Sequence, residues 1–193
     1  MSTAPLILAS SSRHRRALLA RLGLEFTCHS PDIDETPQRG EAPDALAERL
    51  AVAKATRVAA EAPGALVIGS DQVAALGDLV LGKPGDAARA RAQLEACAGR
   101  EVVFHTAVCV HPPGGRTETH RDVTTVVFRA LSAAEINRYV EREQPLDSAG
   151  AFRCEGLGIS LFERIDTTDP TALIGLPLIW LSSALRRAGL AVP

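Results

Sequence analysis

The stretch PLILASSSRHRRALLARLG, residues 5–23, changes its hydrophobic period partway along. Pro5-Leu6-Ile7-Leu8-Ala9 is a short apolar run and reads as a buried strand. Ser12 is placed as an N-cap, and residues 13–22 read as a helix with Leu18, Leu19 and Leu22 inward and Gly23 closing it. A strand running through a hydroxyl-rich turn into a helix is the opening unit of an α/β fold. The chemistry of that turn is unusual. Arg13, His14, Arg15 and Arg16 crowd the first turn, where the helix dipole favours anions. Each misplaced cation costs on the order of 0.3–1 kcal/mol. An anion held by Ser10, Ser11, Ser12, the free amides and the guanidiniums removes the conflict; a solvated basic helix face is the alternative.

Residues 25–29 read as an alternating strand and residues 31–41 as a polar loop with Asp32, Asp34, Glu35 and Glu41. Pro43 opens a helix that runs to residue 60. Residues 65–68 read as a buried strand ending at Gly69-Ser70-Asp71. A helix is expected over 86–98, and strands over 101–111 and 117–129 joined by Pro112-Pro113-Gly114-Gly115. Ser132 with Glu135 forms a capping box for a helix reaching residue 143. Residues 150–158 are glycine-rich and read as a loop against a ligand; a strand at 159–165 and a helix at 177–188 follow. The alternation predicts an α/β fold, mixed because of the hairpin. No repeat or linker divides the chain, and 193 residues suit a single domain, 1–193.

Net charge is −2, so no basic surface for duplex nucleic acid is expected. No apolar run reaches the length of a membrane span, and residues 1–8 lack a leader's charged flank. Cys28, Cys97, Cys109 and Cys154 form no CxxC; free thiols in a reducing cytoplasm are expected, and zinc is not. Of 21 basic residues only Lys54 and Lys83 are lysines. A lysine retained in so arginine-rich a chain suggests a place for a compact ammonium.

Asp71, after its strand, can orient a metal, take a proton from water, or cap a turn. Lys54 interrupts the apolar face made by Leu46, Leu50 and Ala53, and either snorkels to water or meets phosphate. Lys83 is presented by Gly82 and Pro84. The acidic loop, centred on Asp34-Glu35, is either solvated or the source of a ligand for a divalent ion.

Together these pieces form an ordered set: Leu8-Ala9-Ser10-Ser11-Ser12 with Arg15-Arg16; Asp34-Glu35-Thr36-Pro37; Leu50-Ala51 with Lys54-Ala55; Gly69-Ser70-Asp71-Gln72; Gly82-Lys83-Pro84; Asp147-Ser148-Ala149-Gly150; Glu155-Gly156-Leu157-Gly158; and Gly175-Leu176-Pro177-Leu178. The set covers essentially the whole chain and resembles the Maf family. The resemblance implies a single α/β domain with a mixed, twisted sheet flanked by helices around a central cleft, related to inosine triphosphatases. It implies a cytoplasmic hydrolase that cleaves a nucleoside triphosphate to the monophosphate and pyrophosphate with a divalent cation: Mg, or else Mn or Co. It assigns the general base to Asp71, phosphate binding to Ser10, Arg15, Lys54 and Lys83, and metal binding to Glu35. A homodimer is left open, and neither nucleic acid nor membrane is implied as a partner.

Within the family, substrate groups differ at the positions of His14, Gln72 and Glu155. The resemblance is to the 7-methyl-GTP group, which carries an aromatic residue, Gln and Glu there, rather than to the dTTP/UTP group with Arg, Thr and Gln. His14 stands where a larger aromatic is usual, and Arg13 where Pro is common. Edge chemistry agrees with the assignment. Guanine offers N1–H and the N2 amino group, and a carboxylate such as Glu155 can accept from both. Methylation at N7 makes the base cationic, which favours a carboxylate and a π-face. The alternatives are a dTTP/UTP pyrophosphatase, or a nucleotide-binding regulator of cell division with little turnover.

Overall fold

The computed structural model describes residues 4–193; Met1, Ser2 and Thr3, on which the expectation of no leader partly falls, lie outside it. Seven strands and five α-helices alternate: β1 (Leu6–Ala9), α1 (Arg13–Ala20), β2 (Thr27–Cys28), α2 (Pro43–Glu61), β3 (Leu66–Leu76), β4 (Leu79–Leu81), α3 (Ala87–Cys97), β5 (Glu101–His111), β6 (Glu118–Phe128), α4 (Ala133–Glu143), β7 (Phe162–Asp166) and α5 (Leu178–Arg187). Strand order is β2-β1-β3-β5-β6-β7, with β4 paired to β3. β1 runs parallel to β2 and β3, whereas β3–β4 and β6–β7 are antiparallel, so the sheet is mixed as expected.

The chain forms two compact units: residues 1–72, 106–122 and 169–193, and residues 73–105 and 123–168. In the first, Leu6 and Leu8 of β1, Leu18 and Leu19 of α1, Leu66 and Ile68 of β3, and Leu181 and Leu185 of α5 share one buried core. In the second, Phe104, Phe128, Phe152 and Phe162 pack edge to face, with ring centroids 4.8–5.7 Å apart.

Local signals placed most element starts. Ser12 caps α1 by accepting from the Arg15 amide, Pro43 begins α2, and Ser132 and Glu135 form the capping box of α4. Three expectations need correction. β3 does not stop near residue 68. It continues through Asp71 to Leu76, because Ala74 to Leu76 find an antiparallel partner in β4, a three-residue strand that the sequence pattern did not announce. The expected strand at 159–165 begins later, at Phe162, since 157–161 coil into a 3₁₀ turn. The glycine-rich 150–158 segment is partly ordered in 3₁₀ turns at 149–151 and from 157 onward.

All four cysteines are unpaired. Burial pushes the Cys97 thiol up to about 11 and Cys109 to about 12, which makes them packing residues rather than nucleophiles. Among the described residues, no helix is long and apolar enough to cross a membrane.

Candidate functional site

β3 passes beneath α2 at Gly69. A Cβ there would lie 2.2 Å from the Ala51 carbonyl oxygen and 2.7 Å from the Ala55 nitrogen, so only glycine fits. Ala47, Ala51 and Ala55, four residues apart on α2, are buried and small enough to permit the approach. Strand alternation then turns Asp71 to the same side as Gly69, towards α2, and Ser70 and Gln72 to the other.

On the α2 side, Lys54 Nζ donates to Asp71 Oδ1 at 2.5 Å and pairs with Glu35 Oε1 at 2.7 Å. Lys54 is 7% exposed and Asp71 8%, while the Glu35 side chain is 57% exposed. One nearly buried ammonium thus gathers two carboxylates. The lysine neither snorkels nor meets only water.

Of the acidic loop it is Glu35 that joins this cluster, while Asp34 and Glu41 are engaged elsewhere. Asp34 Oδ1 accepts from the Thr36 amide at 2.9 Å, and that turn holds its carboxyl below the usual range. Glu41 takes a two-point contact from Arg49 at 2.6 and 2.8 Å, which pushes it down to about 2. Arg49 also donates to the Thr36 carbonyl at 3.1 Å, so α2 ties down the loop just after Glu35.

Asp71 lies beyond the point where its parallel neighbour ends. The last β1–β3 partners are Ala9 and Gly69. There β1 turns off through Ser10, whose Oγ accepts from the Ser12 amide at 3.1 Å. Ser10 is 6% exposed, so its hydroxyl shapes the turn into α1. Asp71 is thus mid-strand rather than at the end of β3, two residues past the last partner of β1.

Arg15, from the first turn of α1, donates from Nε to the Gly175 carbonyl at 2.9 Å. Its two Nη groups make no hydrogen bond among the described residues. Burial pushes the guanidinium below its usual value, while the charges of Asp71 and Glu35 pull the other way. A half-buried cation held at Nε by a backbone carbonyl is suited to an anion. His14, next on the helix, has its Nε2 3.2 Å from Arg13 Nε.

On the far side of β3, the Ser70 hydroxyl donates to the Ala107 carbonyl at 2.8 Å and faces Gly175 O at 3.1 Å. Gln72 Nε2 is within 3.0 Å of Thr106 Oγ1 and the carbonyls of Ala172 and Leu173. The segment they grip is rigid in its own right. Asp169 accepts from the Thr171 amide and hydroxyl and from the Ile179 amide, and Leu178 N donates to Thr171 Oγ1. This clasp serves the start of α5, where Pro177 makes no side-chain cap. Arg49, Asp169 and Thr171 are not marked by the sequence pattern, and Ser70 is marked there only as part of the Gly69-Ser70-Asp71-Gln72 motif. The available signal was a polar pair, Asp169 and Thr171, just ahead of a helix that begins without a capping side chain.

The first unit therefore brings together Ser10, Arg15, Glu35, Lys54 and Asp71, with Gln72 on the opposite side of the strand. Lys83 and Glu155 belong to the second unit. Lys83 is exposed just after β4, in a turn steadied by Gln93 Nε2 donating to Gly82 O at 3.1 Å. Glu155 is exposed on a turn built around Arg153 and Glu143. Arg153 donates to the carbonyls of Glu143 and Gln144 and to Asp147, and Leu157 N donates to Glu143 Oε2 at 2.8 Å. Among the described residues no three His, Cys, Asp or Glu side chains converge as a metal cage. Glu35 with Asp71 fits the sparser set used by Mg²⁺, which takes one or two carboxylates and completes its shell with phosphate and water.

Residues 5–188 match the protein family described as Maf-like protein. Similar full-length relatives include proteins named 7-methyl-GTP pyrophosphatase from Xanthomonas oryzae pv. oryzae (59% identical, 97% of this chain and 98% of the relative), Bordetella avium (57%, 96% and 93%) and Chromohalobacter salexigens (55%, 96% and 96%). Among solved structures, the Staphylococcus aureus Ham1 protein aligns with 65% of this chain and 72% of its own at 15% identity and a TM-score of 0.48. A dITP/XTP pyrophosphatase from Mycobacterium abscessus aligns with 64% and 72% at 20% identity and a TM-score of 0.42.

Proposed function

The chain belongs to the Maf family, and from that premise we propose that it is a pyrophosphatase that hydrolyses 7-methyl-GTP to 7-methyl-GMP and pyrophosphate. The observation that carries this reading is the Lys54 ammonium held 2.5 Å from Asp71 and 2.7 Å from Glu35, on the unit that also presents Arg15. Two carboxylates and two cations converging at the end of β1 supply the charges a triphosphate and its counter-ion need.

In this mechanism Arg15, Lys54, Lys83 and the start of α1 hold the phosphates. Ser10 keeps that start in shape. A divalent cation, Mg²⁺ in our reading, would be held by Glu35 and phosphate oxygens and would neutralise charge on the polyphosphate. The Asp71 carboxylate takes a proton from water as the water oxygen bonds to the α-phosphorus. The bond from that phosphorus to the α,β-bridging oxygen breaks, and its electron pair leaves with pyrophosphate. Lys54 steadies the Asp71 carboxylate and then shares its charge with the substrate. Positioning and charge neutralisation supply most of the rate. Glu155 accepts from the guanine edge, and His14 offers a π-face to the methylated ring. We place the protein in the cytoplasm.

The test is product analysis with Mg²⁺ and, separately, 7-methyl-GTP, GTP, dTTP and UTP. We expect pyrophosphate and the monophosphate, fastest from 7-methyl-GTP. Asp71→Asn should lower turnover on the order of 10²–10⁴-fold while remaining folded. Preference for dTTP or UTP would overturn the base assignment; near-normal turnover by Asp71→Asn would overturn its role as base.

A further inference from the structure

To read a guanine edge, the Glu155 carboxylate must be held within hydrogen-bond reach of it, yet Glu155 is exposed and lies in a loop. The loop's own bonds cannot fix its place. Gly156 N donates to Arg153 O at 3.2 Å, Ile159 N to Gly156 O at 3.5 Å and the Ser160 hydroxyl to Leu157 O at 2.8 Å, all within the segment they would have to anchor. The anchors on either side of Glu155 come from α4. Before it, the Arg153 amide donates to the Tyr139 hydroxyl at 3.1 Å. The Arg153 guanidinium donates to the carbonyls of Glu143 and Gln144 at 3.1 and 3.2 Å, which satisfies the end of the helix. After it, the Leu157 amide donates to Glu143 Oε2 at 2.8 Å.

Glu143 is the last residue of α4, a helix fixed by its capping box and by buried Ile136, Tyr139 and Val140. Its side chain is only 14% exposed, and Arg153 Nη1 stands 3.6 Å from Oε1. A Cβ at Gly156 would lie 2.7 Å from Glu143 Oε1 and 2.8 Å from Oε2, so the carboxylate fills the space beside the chain directly after Glu155. We propose that Glu143 is a positioning residue for Glu155: it carries the rigidity of α4 to the Gly156–Leu157 peptide and so sets the carboxylate that reads the base, without itself meeting the substrate. The proposal rests on the base-reading role of Glu155 in the function above. What it requires of Glu143 is reach to the Leu157 amide, not negative charge.

Reach and charge are separated by two variants of the full chain. Glu143→Asp keeps the charge and draws the carboxylate back by one methylene; Glu143→Gln keeps the length and an acceptor and loses the charge. The quantity to measure is kcat/KM for 7-methyl-GTP relative to UTP, with Mg²⁺. Glu143→Asp should lower that ratio about tenfold, the scale of one lost hydrogen bond to a charged group, through 7-methyl-GTP and not UTP. Its calorimetric affinity for inorganic tripolyphosphate, which has no base, should match the wild type. Glu143→Gln should keep the ratio within about threefold. With Glu155→Gln already present, Glu143→Asp should change the ratio no further. Gly156→Ala, whose Cβ would meet the same carboxylate, should also lower the ratio and replaces Glu143→Asp if that variant fails to fold. An unchanged ratio in Glu143→Asp, or in Gly156→Ala in its place, would overturn the proposal. So would a larger loss in Glu143→Gln than in Glu143→Asp, an equal loss of UTP turnover and tripolyphosphate binding, or an effect that persists beside Glu155→Gln. If Glu155→Gln alone leaves the ratio unchanged, the base-reading role itself fails, and that single variant tells the two failures apart.

Discussion

Lys54 shows what one side chain can do when water is largely excluded. Its ammonium touches Asp71 at 2.5 Å and Glu35 at 2.7 Å, and a planar guanidinium could not occupy so compact a point. Its scarcity as a lysine and its place on an apolar helix face flagged it before any contact was known. Glu35 was less legible from the residues alone, being one of four acids in its loop; Asp34 is taken up by its near neighbour Thr36, and Glu41 by Arg49, which the folding of α2 brings near. Breaking a buried pair leaves an uncompensated charge at a typical cost of about 3–5 kcal/mol. Lys54→Met should therefore lower stability by about 3 kcal/mol, measured by urea unfolding, and abolish turnover. Adding Asp71→Asn should restore much of the stability and none of the turnover. An unchanged urea midpoint in Lys54→Met would mean that the pair holds nothing together.

At the scale of elements, the contact that matters is α2 against β3. The start of α2 at Pro43 and its small-residue stripe could be read along the chain, but the need for glycine at residue 69 could not, since Ala51 and Ala55 meet it from another element. Gly69→Ala forces backbone to yield, because both nearest atoms are main-chain. We expect a loss of about 1–3 kcal/mol and a sharp fall in turnover as Lys54 is lifted from Asp71. Gly64→Ala, where a Cβ would meet open space, is the control and should leave both nearly unchanged. Equal behaviour of the two variants would show that the close approach is not needed. The same reasoning explains the misjudged end of β3. Val73-Ala74-Ala75-Leu76 is an apolar run too brief to declare its state, and its pairing with β4 decides it.

Across the whole molecule, each unit carries a carboxylate whose ionised form is tied to the native state. Glu41 is pushed down to about 2, first by its bond from Arg49, and Glu135 to about 2, first by the Ser132 amide. A depressed carboxyl stabilises the fold above its unfolded value, near 4.5, and that contribution is lost as pH falls towards 2. The thermal midpoint should fall between about pH 4.5 and 2, and Glu41→Gln with Glu135→Gln should start lower at neutral pH and fall less over that window. Parallel curves would remove these two groups from the acid response. Along the chain, periodicity, caps and turn residues were enough to recover the α/β class and most helix starts and to mark Asp71, Lys54 and Arg15 as candidates, because those signals act within a turn or two of backbone. The contact of Glu35 with Lys54, the close approach of α2 over Gly69, the clasp of Asp169 and Thr171, and the side of the strand that Gln72 faces came from folding alone. Each depends on atoms far apart in sequence, and a local pattern carries no record of which distant partner will take up a charge or a hydrogen bond.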